Sequence, residues 1–229
     1  MHQLSLTGST LLKTLSSLTN SVFNTDENLN GLIKRSSERK DDKVVNAIGY
    51  SNEYLKQALK FPVTDFAFPR CKFGVDTQIN EPRESKFWQD LAKPHLLRIQ
   101  NFIGSPLNAL CMFYPSEGYI GWHHNGNASG WNFILTYSVD GDGYFKYYNQ
   151  HTDEFVTLQD EPGWNFRFGY YPNQQTEPEN VFWHCAYTKK PRCTIGFIVP
   201  NKDVWQSIVE ECVDINSVPF DISEVGPKE

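Results

Sequence analysis

The chain lacks most of what would place it on a membrane, in an oxidising compartment or along a polyanion. No apolar run approaches the roughly 20 residues needed to span a bilayer, and Met1 to Leu6 carries no basic n-region, long apolar stretch or cleavage site of a signal peptide. Cysteine is sparse and odd in number. Cys71, Cys111, Cys185, Cys193 and Cys212 include no C-x-x-C pair, which argues against a disulfide framework and a structural zinc site. Reduced thiols and a cytoplasmic location are the expectation. Basic residues are outnumbered, 21 Lys and Arg against 27 Asp and Glu for a net charge of -6, so an extended nucleic acid is not an expected partner, although a local basic groove is compatible with that balance. Internal repeats and low-complexity tracts are also missing.

What remains fits a globular protein: 229 residues, 39% hydrophobic and 14% aromatic, enough for one good-sized domain with its own core. Residues 9–60 read as helical. Leu11, Leu12, Leu15, Leu18 and Val22 recur at helical spacing. A second short helix is expected from Asp26 to about Lys34-Arg35, an exposed polar run from Ser36 to Lys43, and a third helix from Val44 to Leu59, stopped by Phe61-Pro62. A further helix over Ser85–Leu97 should bend or break at Pro94.

Beyond residue 63 the texture becomes that of short strands with regular punctuation. Strands are expected at Leu107–Tyr114, Trp131–Val139, Tyr144–Tyr148, Phe155–Leu158, Phe166–Tyr170, Val181–His184 and Cys193–Val199, with Asp140-Gly141-Asp142-Gly143 as a hairpin turn. The pattern predicts a mainly β fold with flanking helices (α+β), a jelly roll or sandwich. The expected organisation is a helical N-terminal extension over 1–62, a β domain over 63–200, and a C-terminal helix with an acidic tail over 201–229.

The chemistry-bearing residues cluster in the β region. In a strand, residues two apart share a face, so His123 and Asn125 of Gly121-Trp122-His123-His124-Asn125 can face one interior while Trp122 and His124 face away. An H-x-carboxylate pair with a distant histidine is the ligand pattern of mononuclear non-haem iron sites; His184 is the candidate distal ligand, and Asn125 stands where a carboxylate is expected. Arg192 and Thr194, also two apart, can clamp a carboxylate with a guanidinium fork and a hydroxyl. Tyr114 could add its phenol. Cys193, Ile195, Phe197 and Val199 form the apolar opposite face, expected to pack outward. Glu117 and Asp142 are nearby carboxylates outside the expected position. Taken one at a time, each histidine is more often an ordinary strand residue and each aromatic ordinary core.

The ordered set Tyr114, Gly118, His123-x-Asn125, Gly163, His184 and Arg192-x-Thr194 resembles the catalytic half of Fe(II)/2-oxoglutarate-dependent dioxygenases, in the style of prolyl hydroxylases and DNA-dealkylating oxygenases. The resemblance covers Tyr114 to Val199 and leaves the N-terminal helices outside it. It implies a double-stranded β-helix, Fe(II) held by His123, Asn125 and His184, and 2-oxoglutarate as co-substrate anchored by Tyr114, Arg192 and Thr194. It also implies hydroxylation of a small-molecule, nucleotide or peptide substrate. The departure is Asn125, an amide where the family has a charged ligand. That departure keeps a rival reading open: a non-catalytic double-stranded β-helix used for binding or assembly, with the N-terminal helices as an oligomerisation arm.

Overall fold

The computed structural model describes residues 1–7, 9–38, 47–60, 71–76, 82–104, 107–125, 129–213 and 225–226. Eleven strands among them form two antiparallel sheets. The larger has the order β1 (His2–Ser5), β9 (Gly163–Tyr171), β6 (Gly130–Ser138), β11 (Arg192–Val199), β4 (Leu107–Tyr114) and β3 (Val75–Asp76). The smaller has the order β2 (Lys72–Phe73), β5 (Tyr119–His123), β10 (His184–Thr188), β7 (Gly143–Asn149) and β8 (Glu154–Gln159). From β4 to β11 the chain changes sheet at every connection except the β7–β8 hairpin. That winding is a double-stranded β-helix, a jelly-roll-like core with most helices against the larger sheet and a short one against the smaller.

Side-chain alternation gives the larger sheet two chemically different faces. Outward point Cys111, Phe113, Phe133, Leu135, Phe166, Phe168, Cys193, Ile195 and Phe197, which join one buried cluster with the helices. Helix α1 (Ser9–Val22) contributes Leu11, Leu15, Leu18 and Val22 to it, all essentially buried. Four buried aliphatics at about 1.5–3 kcal/mol each outweigh the few tenths per residue that a Ser/Thr-rich helix forgoes in propensity. Several of those hydroxyls are satisfied locally, as Thr19 and Ser21 donate back to the carbonyls four residues earlier. Helix α5 (Lys202–Cys212) is capped by Asn201, whose side chain accepts from the Val204 amide, and it lays Trp205 against Phe133 and Phe168.

The inward face of the same sheet is mixed: Asn165 and Arg167 on β9, Thr136 and Ser138 on β6, Arg192 and Thr194 on β11 and Tyr114 on β4 share it with Met112, Ile134 and Tyr171. Facing it from the smaller sheet are Ile120, His123, Phe145, His184 and Ala186. The smaller sheet's outer face carries Trp122, Tyr148, Phe155 and Cys185, covered by α3 (Asn52–Ala58). All five cysteines are buried thiols.

Several sequence expectations need correction. Helix α2 runs from Asp26 to Glu38, beyond Lys34-Arg35, because Ser36 faces inward, fully buried, and its hydroxyl donates to the Leu32 carbonyl. The expected third helix is divided: a 3-10 turn over Ala47–Tyr50, then α3, which starts only after Ser51 caps it by accepting from the Tyr54 amide. Val44 to Asn46, the stop at Phe61-Pro62 and the acidic tail from 214 to 224 lie outside the described residues. Val181 to Trp183 are not strand; β10 starts at His184, after a 3-10 turn over Pro178–Asn180. The turn Asp140 to Gly143 joins no hairpin, since β6 and β7 belong to different sheets.

Helix α4 (Pro82–Ile103) passes through Pro94 without a break. Trp88, Ala92, His95, Ile99 and Ile103 form one buried stripe, and the Trp88 indole donates to the Cys111 carbonyl at 2.8 Å. This burial holds the helix together across a residue that has no N–H for the Asp90 carbonyl. Pro94 itself is exposed, so Pro94→Ala should restore that bond without disturbing the core. Chemical denaturation should show a gain of about 1–2 kcal/mol; a loss would mean that the proline supports a needed curvature.

Candidate functional site

The lumen between the sheets has two chemically distinct ends. At one, His123 on β5 and His184 on β10 are direct cross-strand partners, their ring centroids 4.2 Å apart. A β-bulge makes this alignment: His184 pairs with His123 but Ala186 with Ile120, so β5 has one residue more than β10 between the same rungs. In a regular strand Ile120 and His123, three residues apart, would lie on opposite faces; the bulge lets both point inward. Asn125 lies two residues past the end of β5, so strand alternation does not place it. Its side chain nevertheless turns toward the pair, with Nδ2 3.4 Å from His184 Nε2.

Both imidazoles are held in the same way. His123 Nδ1 lies 2.8 Å from the Gly121 carbonyl, and His184 Nδ1 lies 2.8 Å from the Phe182 carbonyl. A carbonyl can only accept, so each ring carries its proton on Nδ1 and keeps a lone pair on Nε2. Burial drives both toward the neutral form. His123, 4% exposed, is lowered to about 4 by desolvation, against the opposing pull of the Gly121 and His184 backbone. His184, 5% exposed, is lowered well below the usual histidine range by desolvation and then by His123. Rings from Phe145, Tyr171 and Phe182 pack around His184 at centroid distances of 5.1 to 5.4 Å. His124 is fully buried, edge-on to Trp183, rather than part of this group.

Among the described residues no group of three His, Cys, Asp or Glu side chains gathers to hold a metal. Glu117 accepts from the Tyr187 hydroxyl on the outer face, and Asp142 sits in an exposed turn. Among the described residues, the side chain placed to be a third ligand beside His123 and His184 is the amide of Asn125.

At the other end lies a buried ionic cluster that sequence reading missed in part. Arg192, 1% exposed, is the cross-strand partner of Tyr114 and holds its guanidinium 5.3 Å from that ring. Tyr114 and Thr194 share a hydrogen bond, and Thr194 reaches Thr136 at 3.4 Å. Burial raises the Tyr114 phenol, keeping it a donor. The three expected residues are therefore neighbours, although Thr194 is already engaged by Tyr114 and Thr136. Arg192 Nε donates to Asp160 Oδ2 at 2.9 Å, and Arg167 Nη2 donates to Asp160 Oδ1 at 2.6 Å. Arg167, fully buried, also donates from Nε to the Gln3 side chain. Gly143 makes room for this carboxylate: a Cβ there would stand 2.4 Å from Asp160 Oδ2.

Asp160 feels desolvation most strongly, which alone would raise its pKa. Arg192 and Arg167 together outweigh it and hold the carboxyl below its usual value. Burial lowers Arg167 to about 10, which leaves it charged at neutral pH. The cluster thus contains two cations and one anion. Four buried donor atoms around it have no partner: Arg192 Nη1 and Nη2, Arg167 Nη1 and the Tyr171 hydroxyl. Asp160 carries no sequence signal in its turn. Arg167 does carry one, as the charged residue between Phe166 and Phe168 on a strand whose aromatics must face the core.

No family model matches the chain, and no curated protein matches it in sequence. Among solved structures it is similar to a prolyl-4-hydroxylase from Pseudomonas putida, at 11% identity over 57% of this chain and 70% of that one, with a TM-score of 0.32. It is similar to the Escherichia coli ribosomal oxygenase YcfD at 17% identity over 62% of this chain but only 38% of that one, TM-score 0.32. It is also similar to a rice dioxygenase for auxin oxidation at 13% identity over 86% and 72%, TM-score 0.33. Overlaps of this size carry no argument about activity.

The buried histidines set an acid response. His2 and His123 are lowered to about 4, and His95 and His184 are lowered too, in each case first by burial. As pH falls from about 6.5 toward 4, the unfolded chain takes up protons that the folded chain refuses. Stability of chelator-treated protein should therefore fall across that window. Denaturation midpoints at pH 7.5, 6 and 5 will measure the slope, and His123→Asn should reduce it by one proton. A flat profile would contradict the neutral, Nδ1-protonated assignment.

Proposed function

We propose that the chain is an Fe(II)- and 2-oxoglutarate-dependent oxygenase, a hydroxylase acting on a small-molecule, nucleotide or peptide substrate. The observation that carries this reading is the pair of cross-strand histidines, both fixed through Nδ1 so that neutral Nε2 lone pairs remain, with the Asn125 amide beside them. A histidine oriented through its second nitrogen by a carbonyl is the usual state of a metal-binding imidazole. The donor set suits Fe(II): two imidazoles and an amide oxygen leave positions for a bidentate keto acid and oxygen. The opposite end suits the acid, because two Nη groups of Arg192 are buried without a partner.

Bound Fe(II) would supply the oxygen chemistry, coupling decarboxylation of 2-oxoglutarate to succinate with insertion of oxygen into a C–H bond. The chain supplies the rest. His123 and His184 present unprotonated ligands at neutral pH. Arg192 offers a charged fork for the distal carboxylate, beside the Tyr114 phenol. Phe145, Tyr171 and Phe182 screen the histidine end from water.

Asn125 sets the strength of the site. A neutral amide leaves the metal's charge uncompensated by protein, so metal binding should be weak alone and strengthened by 2-oxoglutarate, whose carboxylates supply the missing charge. The non-catalytic reading is favoured by one observation: the Asn125 Nδ2 already faces the His184 lone pair, which satisfies the site without metal.

The two readings part under anaerobic titration of Fe(II) with 2-oxoglutarate. An oxygenase gives a weak visible metal-to-ligand charge-transfer band, and succinate on admission of oxygen. Asn125→Asp should tighten Fe(II) by about 10-fold or more, while His184→Ala should abolish the band. A folded protein with neither band nor succinate, in which Asn125→Asp also fails to gain the band, would establish the non-catalytic reading.

A further inference from the structure

The buried cluster of Arg167, Asp160 and Arg192 is unbalanced, and its imbalance has a direction. Arg167, Asp160 and Arg192 are each 2% exposed or less and together carry one net positive charge. A buried uncompensated charge is costly, and buried donors are rarely left unpaired. Asp160 occupies one side of the two guanidiniums, taking Nε of Arg192 and Nη2 of Arg167. The groups left over are Nη1 and Nη2 of Arg192 and Nη1 of Arg167. Since both guanidiniums already touch one carboxylate, they are close enough together to share another.

We infer that a ligand carboxylate bridges Arg192 and Arg167, completing a quartet of two guanidiniums and two carboxylates, in which Asp160 balances one of the two positive charges and leaves the other for the ligand. The Tyr171 hydroxyl, also buried and unpartnered, stands on β9 between Arg167 and His184 and donates to the same ligand. Gln3 secures Arg167 from the other side, so β1 takes part in the site. This deepens the oxygenase reading and rests on it for the identity of the acid, 2-oxoglutarate. The two-arginine geometry stands on the cluster alone. It assigns to Arg167, Asp160 and Tyr171 a role that a single-arginine anchor would not need.

The test uses the full chain, stripped with chelator and free of metal, in thermal unfolding with 2-oxoglutarate, succinate or acetate against sodium chloride at matched ionic strength. Wild type should be stabilised in a saturable way by 2-oxoglutarate and succinate. Arg167→Lys keeps a charge but loses the planar fork, and should need at least about tenfold more acid for the same shift. Asp160→Asn raises the cluster's net charge from one to two. It should melt lower without acid and gain more from acid than wild type does, a response that a merely structural residue would not produce.

An unchanged concentration dependence in Arg167→Lys would show that Arg192 holds the acid alone and would overturn the inference. So would wild type that no carboxylate stabilises. If Arg167→Lys does not fold, Asp160→Asn decides, and a gain no larger than wild type's counts against the quartet. Equal response to all three acids, still dependent on Arg167, would uphold the quartet as a general carboxylate site and overturn its assignment to 2-oxoglutarate in particular. A charge-transfer band that is indifferent to Arg167 would keep the oxygenase and sink the quartet.

Discussion

Asp160 is the residue around which the interior is arranged. Its two oxygens are divided between Arg167 on β9 and Arg192 on β11, and its amide donates to Gly143 at the start of β7. One residue, through its side chain and its main chain, thus ties two strands of the larger sheet to a strand of the smaller one. Burial opposes ionisation of Asp160, yet both guanidiniums together prevail. This explains how a sheet with an aromatic outer face can keep a charged inner one. The hydrophobic load is carried between the sheet and its helices, and the lumen is left to polar groups that Asp160 pairs only in part, since Nη atoms of both arginines stay without a partner.

The division of labour between faces is why much of the fold was legible. Cys193, Ile195, Phe197 and Val199 alternate with Arg192, Thr194, Gly196 and Ile198, and that period fixes both the strand and its orientation. Leu107–Tyr114 was legible for another reason, as a short apolar run bounded by turn clusters. What escaped was set by partners distant in the chain. β1 is four residues long and owes its place to pairing with β9, more than 150 residues away by the separation of Gln3 from Arg167. β2 and β3 are two residues each, too short for any period to show. At Val181 to Trp183 the apolar run looked like strand, but it leads from a 3-10 turn into β10.

The candidate site divides the same way. His123, His184, Arg192 and Tyr114 could be named from residue type and spacing, and the fold sets them on the lumen. The reason given for Asn125 was wrong in its mechanism: it lies beyond β5, and its amide turns inward without help from strand alternation. The inward aim of His123 depends on a bulge at Gly121-Trp122, which no alternation rule contains. Arg167 was visible as a charge among aromatics, but only its partner gives it meaning, and Asp160 sits in a turn that looks like any other.

These features bear jointly on the charge of the interior. With a carboxylate at position 125, Fe(II) would retain one positive charge after its protein ligands. With an amide it retains two, and the arginine cluster adds one more, for a total of three. A bound 2-oxoglutarate dianion would leave one. On the proposed iron reading the lumen would favour anions: first 2-oxoglutarate, which would supply charge that the protein does not, and then whatever group approaches the histidine end. Asn125 and Arg167 shift the balance in the same direction from opposite ends of the cavity. An amide in place of a carboxylate here thus leaves the histidine end neutral, so that the net protein charge of the lumen is the positive charge of the arginine cluster.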